Sequence, residues 1–166
     1  MSLTEAEGPL PLGPANDIIW FARGRVAVLV PRSADGGVDD AVQQVAERYE
    51  LVGAKLALAI IIDENTERPG PEMDQRIQRA LEDVSSVVLA TSITILGTGF
   101  FAGFFMSLMS RVLGLVKRNG VKPTLHSTLE SAAAWLHEQL NDPNTSLDEV
   151  LETLRWANAN ANANAA

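Results

Sequence analysis

The feature that most constrains the fold is a run of 27 uncharged residues, VSSVVLATSITILGTGFFAGFFMSLMS, that begins at Val84. As one helix it would span about 40 Å, more than the roughly 30 Å hydrocarbon core of a bilayer. Ser and Thr supply 8 of the 27 residues and Gly supplies 3. The first half, Ser86–Leu96, is rich in β-branched residues, and Gly97 and Gly99 interrupt the run. The run therefore predicts a buried strand followed by a helix, and no transmembrane segment.

The remainder of the chain alternates between strand and helix patterns. Ile18–Val30 predicts two short strands joined by a turn at residues 22–25. Lys55–Ile62 (KLALAIII) is apolar on both faces, which predicts a central strand that is covered on both sides. Helices are predicted over 38–53, 71–84, 100–117, 127–140 and 146–154, and a last short strand over 121–125. This order indicates an α/β fold with a mainly parallel sheet of four or five strands, an N-terminal hairpin, flanking helices and an extra C-terminal helix.

The 166 residues are predicted to form one domain with a segment at each end outside it. Residues 1–16 contain three prolines and no basic residue, which predicts a flexible lead rather than a secretory signal. Residues 17–141 are predicted to form the α/β domain, and residues 145–156 are predicted to form an amphipathic helix. The signatures Ser127–Glu130 and Ser146–Glu149 predict capping boxes at the last two helices. The end, residues 157–166, repeats Ala and Asn without a branched or aromatic side chain, so it is predicted to be disordered.

Net charge and cysteine content exclude several classes of function. The formal charge of −8 repels phosphate backbones and anionic lipids, so neither nucleic acid nor an anionic membrane surface is an expected partner. The chain has no Cys, which removes disulfides and thiolate metal sites. We expect a cytoplasmic protein.

The helix predicted at residues 100–117 has an unusually wide apolar face. On a helical wheel the apolar arc covers about 200°, twice the roughly 100° stripe of a surface helix. A sheet covers only part of such an arc, so a second subunit, the C-terminal helix or a hydrophobic ligand should cover the rest. The candidate residues for this contact include Trp156, from the predicted C-terminal helix. The full set is Phe101, Phe104, Phe105, Met106, Met109, Leu113 and Trp156.

A polar loop after the predicted central strand is the second candidate site. Asp63, Glu64, Thr66 and Glu67 follow Lys55–Ile62 directly, and ligands of open α/β sheets gather beyond the carboxyl ends of strands. Three carboxylates could bind a metal or a basic partner. The alternative is a solvated acidic loop in which Asp63 caps backbone groups. No metal-ligand spacing accompanies them, so no metal is predicted.

Other residues with chemical potential have structural explanations. His126 is interpreted as a turn histidine and His137 as an exposed helix histidine, because no nucleophile motif accompanies either. The Gly97-Thr98-Gly99 turn could cradle a phosphate, but the two phenylalanines after it favour a simple tight turn. Trp135 is interpreted as part of the core edge. No catalytic residue and no cofactor is predicted.

Several of these segments together resemble the STAS-like group of small regulatory domains. The resemblance covers about residues 18–140 and rests on KLALAIIID ending at Asp63, a helix that starts near Pro71, the strand SITIL and the closing HSTLESAAAWLHEQL. It implies a leading hairpin, alternating helices and strands, and binding to partner proteins, as in anti-sigma factor antagonists. Those relatives carry a phosphorylatable Ser or Thr in an Asp-Ser-Ser-Gly-like setting before the second helix. Here the Ser-Gly element is missing and Thr66 is the only hydroxyl in the loop.

The function predicted from these observations is a non-catalytic regulatory module that binds a partner protein and forms a homodimer through the Phe100–Val116 helix. Lipid-binding CRAL-TRIO domains resemble the same arrangement, so a carrier of a hydrophobic ligand is the first alternative. A small enzyme with an acidic metal site at Asp63, Glu64 and Glu67 is the second.

Overall fold

The structure is a computed structural model that describes residues 7–12, 18–32, 43, 47, 53, 55–68, 72–115 and 123–164. The strands are β1 Glu7–Leu12, β2 Ile18–Arg23, β3 Val26–Pro31, β4 Leu56–Ile62, β5 Val88–Ile95 and β6 Thr124–His126. The helices within the described ranges are α1 Met73–Asp83, α2 Gly99–Leu115, α3 Leu129–Leu140 and α4 Leu147–Asn164.

The strands form one sheet in the order β1-β2-β3-β4-β5-β6. The first three strands pair antiparallel, and β3 to β6 pair parallel. Every residue of β4 is buried, as its two apolar faces predicted. The predicted α/β fold, with a mainly parallel sheet, an N-terminal hairpin and an extra C-terminal helix, is confirmed. The described sheet has six strands rather than the predicted four or five, because β1 adds an unpredicted edge strand.

Two apolar layers lie on opposite faces of this sheet. Successive side chains of a strand point to opposite faces, so Leu58 and Ile60 of β4 join one cluster while Ala59 and Ile61 join the other. The first cluster includes α1 and α2, and the second includes α3 and α4. The C-terminal helix α4 therefore does not cover the excess apolar arc of α2, because the sheet separates them.

The N-terminal segment was predicted to be a flexible lead, but Glu7–Leu12 forms the edge strand β1. Its register with β2 places Leu10 opposite Trp20 and Leu12 opposite Ile18. The prolines that argued against regular structure are compatible with an edge strand, because the outer side of such a strand needs no hydrogen-bond donors. The rest of the predicted lead, residues 1–6 and 13–16, lies outside the described residues.

The Ala/Asn tail was predicted to be disordered, but α4 continues through it to Asn164. Ala157 and Ala161 are completely buried and extend the stripe that Val150 and Leu154 begin. The spacing of three to four residues keeps these side chains on one helix face. Alanine lets the helix lie close to the sheet, so the small side chains contribute to the core after all.

The starts of the last two helices differ in how well they were predicted. The side chain of Thr128, rather than Ser127, caps α3 by accepting a hydrogen bond from the Ser131 N–H. The capping box of α4 is confirmed, since the Ser146 N–H donates to Glu149 and the Glu149 N–H donates to the Ser146 hydroxyl.

Most of the helix predicted over 38–53 lies outside the described residues. Gln43 and Glu47, which are described, are helical and exposed, and the Gln43 amide donates to the Glu47 carboxylate at 3.0 Å. The predicted strand 121–125 appears as β6, which begins at Thr124, while residues 121–122 are not described.

Candidate functional site

The wide apolar arc of α2 is divided between the core and the surface. Phe105 and Met109 are only 3% and 2% exposed, and both pack against the sheet and α1. These two predicted contact residues are therefore unavailable to a partner, which corrects the prediction. Phe101, Phe104 and Leu113 are half-buried.

Among the α2 side chains whose burial the structure describes, two large apolar ones are exposed. Met106, which was predicted, is 41% exposed, and Phe100, which was not, is 72% exposed. The Arg68 guanidinium lies 4.7 Å from the centre of the Phe100 ring and 5.5 Å from that of Phe104. This cation–π geometry leaves most of the Phe100 ring in contact with solvent. We call the exposed surface around Phe100, Gly103 and Met106 the α2 outer face.

Small residues accompany these apolar side chains along the helix. Those exposed on α2 are Gly99, Gly103, Ser107, Ser110 and Gly114. A Cβ atom built at Gly103 would meet nothing within 4 Å, so packing inside this chain does not require glycine there. A glycine within a helix costs about 1 kcal/mol relative to alanine. The sequence thus carries a destabilising residue at a place where an external surface could approach the backbone closely.

The predicted aromatic set does not come together in one place. Trp156 is 40% exposed, but it belongs to α4, on the opposite side of the sheet from α2. Trp135 is half-buried against the cluster beneath α3 and α4, as predicted. The α2 outer face and Trp156 must therefore be considered as separate surfaces.

The polar loop after β4 is built around a buried ion pair. Asp63 is only 7% exposed, and its Oδ1 lies 2.6 Å from Nη1 of Arg32, which follows β3. The Asn65 N–H donates to the same carboxylate oxygen. Asp63 therefore caps a backbone N–H as the alternative predicted, but it is buried rather than solvated. The role of Arg32 was missed because nothing local to the loop indicates it.

Thr66 also has a structural role. Its hydroxyl donates to the Pro31 carbonyl and accepts from the Asp63 N–H, and the side chain is buried. These bonds tie the loop to the end of β3. The hydroxyl would have to leave both partners before it could be modified.

The remaining carboxylates of the loop do not converge on a metal site. Glu64 and Glu67 are exposed, whereas Asp63 is committed to Arg32. Among the described residues, no group of three or more histidine and acidic side chains could hold a metal ion. A Cβ at Gly97 would lie 3.4 Å from Glu64 Cγ, so a carboxylate-bearing side chain lies beside the glycine turn and disfavours phosphate there.

His126 lies at the end of a strand, in a buried polar cluster, and not in the predicted turn. It ends β6, is 9% exposed, and its Nδ1 lies 2.8 Å from the Ser131 hydroxyl. Register places it beside Thr94 of β5. His126 Nε2, Thr94 Oγ1 and Ser92 Oγ are buried and find no hydrogen-bond partner within the described residues. Ala90 belongs to the cluster under α3, and side chains two and four positions further along β5 point to the same face, so Ser92 and Thr94 do as well. Leu125 packs on the opposite face, so the next residue, His126, also points toward α3.

Burial lowers the pKa of His126 below its ordinary value of 6.5. The protonated form is disfavoured in the folded state, so its contribution to stability is present above pH 6.5 and is lost as the pH falls through the lowered folded pKa. We expect His126→Gln to remove this acid-side loss of unfolding free energy, measured by urea denaturation across that range. A pH profile of unfolding free energy that is the same in His126→Gln and in the wild type would contradict the lowered pKa of His126.

Within the described part of the chain, no helix combines the length and the apolar character that crossing a bilayer requires. Comparison with protein-family models, with curated proteins and with solved structures finds no match to this chain.

Proposed function

We propose that the protein is a non-catalytic, STAS-like interaction module that self-associates through the α2 outer face. The observation that carries this proposal is the 72% exposure of Phe100, on the same helix as Met106, which is 41% exposed. Large apolar side chains grouped on one surface are typical of sites where proteins meet. The regulatory role and a further partner protein are inferred from the resemblance to STAS-like domains.

A second copy of the chain is the occupant that this surface fits best. A Cβ atom at Gly103 would point into open space, and Ser107 and Ser110 place only small side chains on the same side of the helix. Two such helices could approach closely, with each Phe100 packing beside the small residues of the other. A two-fold interface of this kind uses the same patch on both subunits, so one exposed apolar surface is enough to form it.

Phe100→Asp should weaken self-association by roughly 30-fold, which corresponds to about 2 kcal/mol and is typical of a central aromatic contact. Sedimentation velocity over a concentration series measures the effect. Ala134→Asp is the control, because Ala134 is exposed on α3, on the other side of the sheet. A wild-type protein that stays monomeric at high micromolar concentration contradicts the proposal.

Gly103→Ala gives a further arm of the same experiment, with effects in two directions. The added methyl group meets nothing in the monomer and should favour the helix. It should nevertheless weaken the dimer, because it stands where the second helix approaches.

A lipid-like ligand on the α2 outer face would instead appear as added mass on a monomer in native mass spectrometry, and that result would replace self-association with the carrier function.

A further inference from the structure

The last turns of α4 reach the carboxyl ends of β3 and β4. There the side-chain oxygen of Asn162 accepts two hydrogen bonds, one from Arg32 Nη2 at 3.0 Å and one from Asn65 Nδ2 at 2.7 Å. These bonds join residues that are 130 and 97 positions apart in the chain. We call the segment Ala157–Asn164 the strap.

The polar groups beneath the strap are not fully paired. The ion pair uses Arg32 Nη1 and Asp63 Oδ1, while Asp63 Oδ2 and Arg32 Nε are buried and lack a hydrogen-bond partner in the described structure. A buried carboxylate oxygen without a donor is uncommon and indicates a group that can still be satisfied. The Asn162 amide nitrogen does not supply that donor in this arrangement, since it lies 3.5 Å from Asn158 Oδ1.

The chemistry of this position matches a carboxamide. Two donors, from Arg32 and Asn65, converge on one oxygen, and Asp63 Oδ2 remains as an acceptor for an N–H group. An anionic oxygen is less suitable, because Asp63 already neutralises Arg32 and the exposed Glu64 and Glu67 lie in the same loop. A neutral amide oxygen avoids this repulsion and still accepts from the charged guanidinium.

The strap depends on tertiary contacts, because its own helix-forming tendency is modest. Asn occupies every second position and is a weak helix former. Among residues 157–162, for which burial is described, Ala157 and Ala161 are buried, and these small side chains remove little apolar area from water. Within the described residues, the Asn160 side chain donates to the Trp156 carbonyl of the same helix. The strap can therefore leave the sheet while the larger side chains of α4, such as Leu154, remain packed.

We propose that this edge of the sheet is a carboxamide-binding site, which the strap occupies in cis through Asn162. Release of the strap opens the site to a polypeptide segment that presents an Asn or Gln side chain. The location agrees with the general tendency of open α/β sheets to bind ligands beyond the carboxyl ends of their strands. The site is formed by Arg32, Asp63 and Asn65, none of which belongs to the α2 outer face, so each proposal is tested by its own variants.

Hydrogen–deuterium exchange of the full-length chain tests the strap. Asn162→Ala removes the two contacts to Arg32 and Asn65, whereas the control Asn160→Ala removes a bond within α4 only. Both changes raise helix propensity, so propensity alone predicts slower exchange in both variants. We expect Asn162→Ala to speed exchange of the strap amides and of residues 65–67 by roughly tenfold, or about 1.4 kcal/mol. Equal exchange in the two variants overturns the proposal.

Binding of a probe peptide tests the carboxamide site itself. The probe is the synthetic segment RWANANANAN, and the control peptide has Ala in place of all four of its Asn residues, including the one that corresponds to Asn162. By NMR titration, full-length Asn162→Ala should bind the probe at least about tenfold more tightly than the wild type does, and the control peptide should bind neither. Equal affinity of the two peptides would overturn the proposal that the site binds a carboxamide. If the strap amides exchange more slowly as the protein concentration rises, the strap binds a neighbouring molecule, and the proposal that it occupies the site of its own chain is overturned.

Discussion

Phe105→Ala should lower the free energy of unfolding by about 3–5 kcal/mol, the usual cost of removing a buried aromatic side chain. Phe105 is 3% exposed and contacts Phe101 and Phe104, with ring centres 4.8 and 5.4 Å apart. Phe100→Ala, five positions earlier on the same helix, should change stability by no more than about 0.5 kcal/mol, because the ring already lies in water. Urea denaturation of the two variants measures the contrast.

Both variants replace Phe by Ala in the same helix, so the main difference between them is the burial of the side chain that is removed. Unfolding should be followed at a concentration low enough to keep the protein monomeric, since Phe100 also belongs to the α2 outer face. Similar losses in both variants would show that α2 is rotated on the sheet relative to the structure. The proposed dimer interface would then involve other apolar residues of α2.

The central strands were predictable because their signal is local. Lys55–Ile62 and Ser86–Leu96 contain enough apolar and β-branched side chains to specify buried strands without reference to any other segment. The excess apolar arc of α2 was predictable for the same reason. Which part of that arc meets the sheet was not, because the rotation of a helix about its axis depends on its neighbours. Phe105 and Phe100 look alike in the sequence, but one is in the core and the other is in solvent.

The two ends of the chain could not be predicted from local composition. Pro9 and Pro11 argue against a strand in general, and only the assembled sheet shows that Glu7–Leu12 lies at an edge where proline is tolerated. The Ala/Asn tail carries no hydrophobic signal, yet alanines four positions apart fit against the sheet once α4 is in place.

The contacts of the polar loop after β4 also could not be predicted from local sequence. Asp63 was predicted as a candidate from its position after a buried strand. Its partner Arg32 is 31 positions away, and Asn162 lies 130 positions from Arg32. Parallel pairing of β3 with β4 brings the first two together, and the docking of α4 adds the third. No sequence window contains that information.

Arg32→Met should destabilise the fold by roughly 3–5 kcal/mol, the range for removing one partner of a buried ion pair. The change leaves the Asp63 carboxylate buried without its counter-charge, and it also removes a donor to Asn162. The charge is the main cause, because a lone carboxylate in a low-dielectric site has lost its hydration without a compensating partner. Urea denaturation of the variant near neutral pH measures the loss.

The double variant Arg32→Met/Asp63→Asn separates the charge from the packing. If the uncompensated carboxylate dominates, the double variant should be more stable than Arg32→Met alone, because replacing both partners leaves no isolated charge. Arg155→Met is the surface control, since the Arg155–Glu130 pair has a similar 2.7 Å separation but each side chain is 59% exposed. Solvent screens that pair, so its loss should change stability little. Comparable losses from Arg32→Met and Arg155→Met would mean that Asp63 is hydrated in solution, and the loop after β4 would then not be anchored by a buried charge.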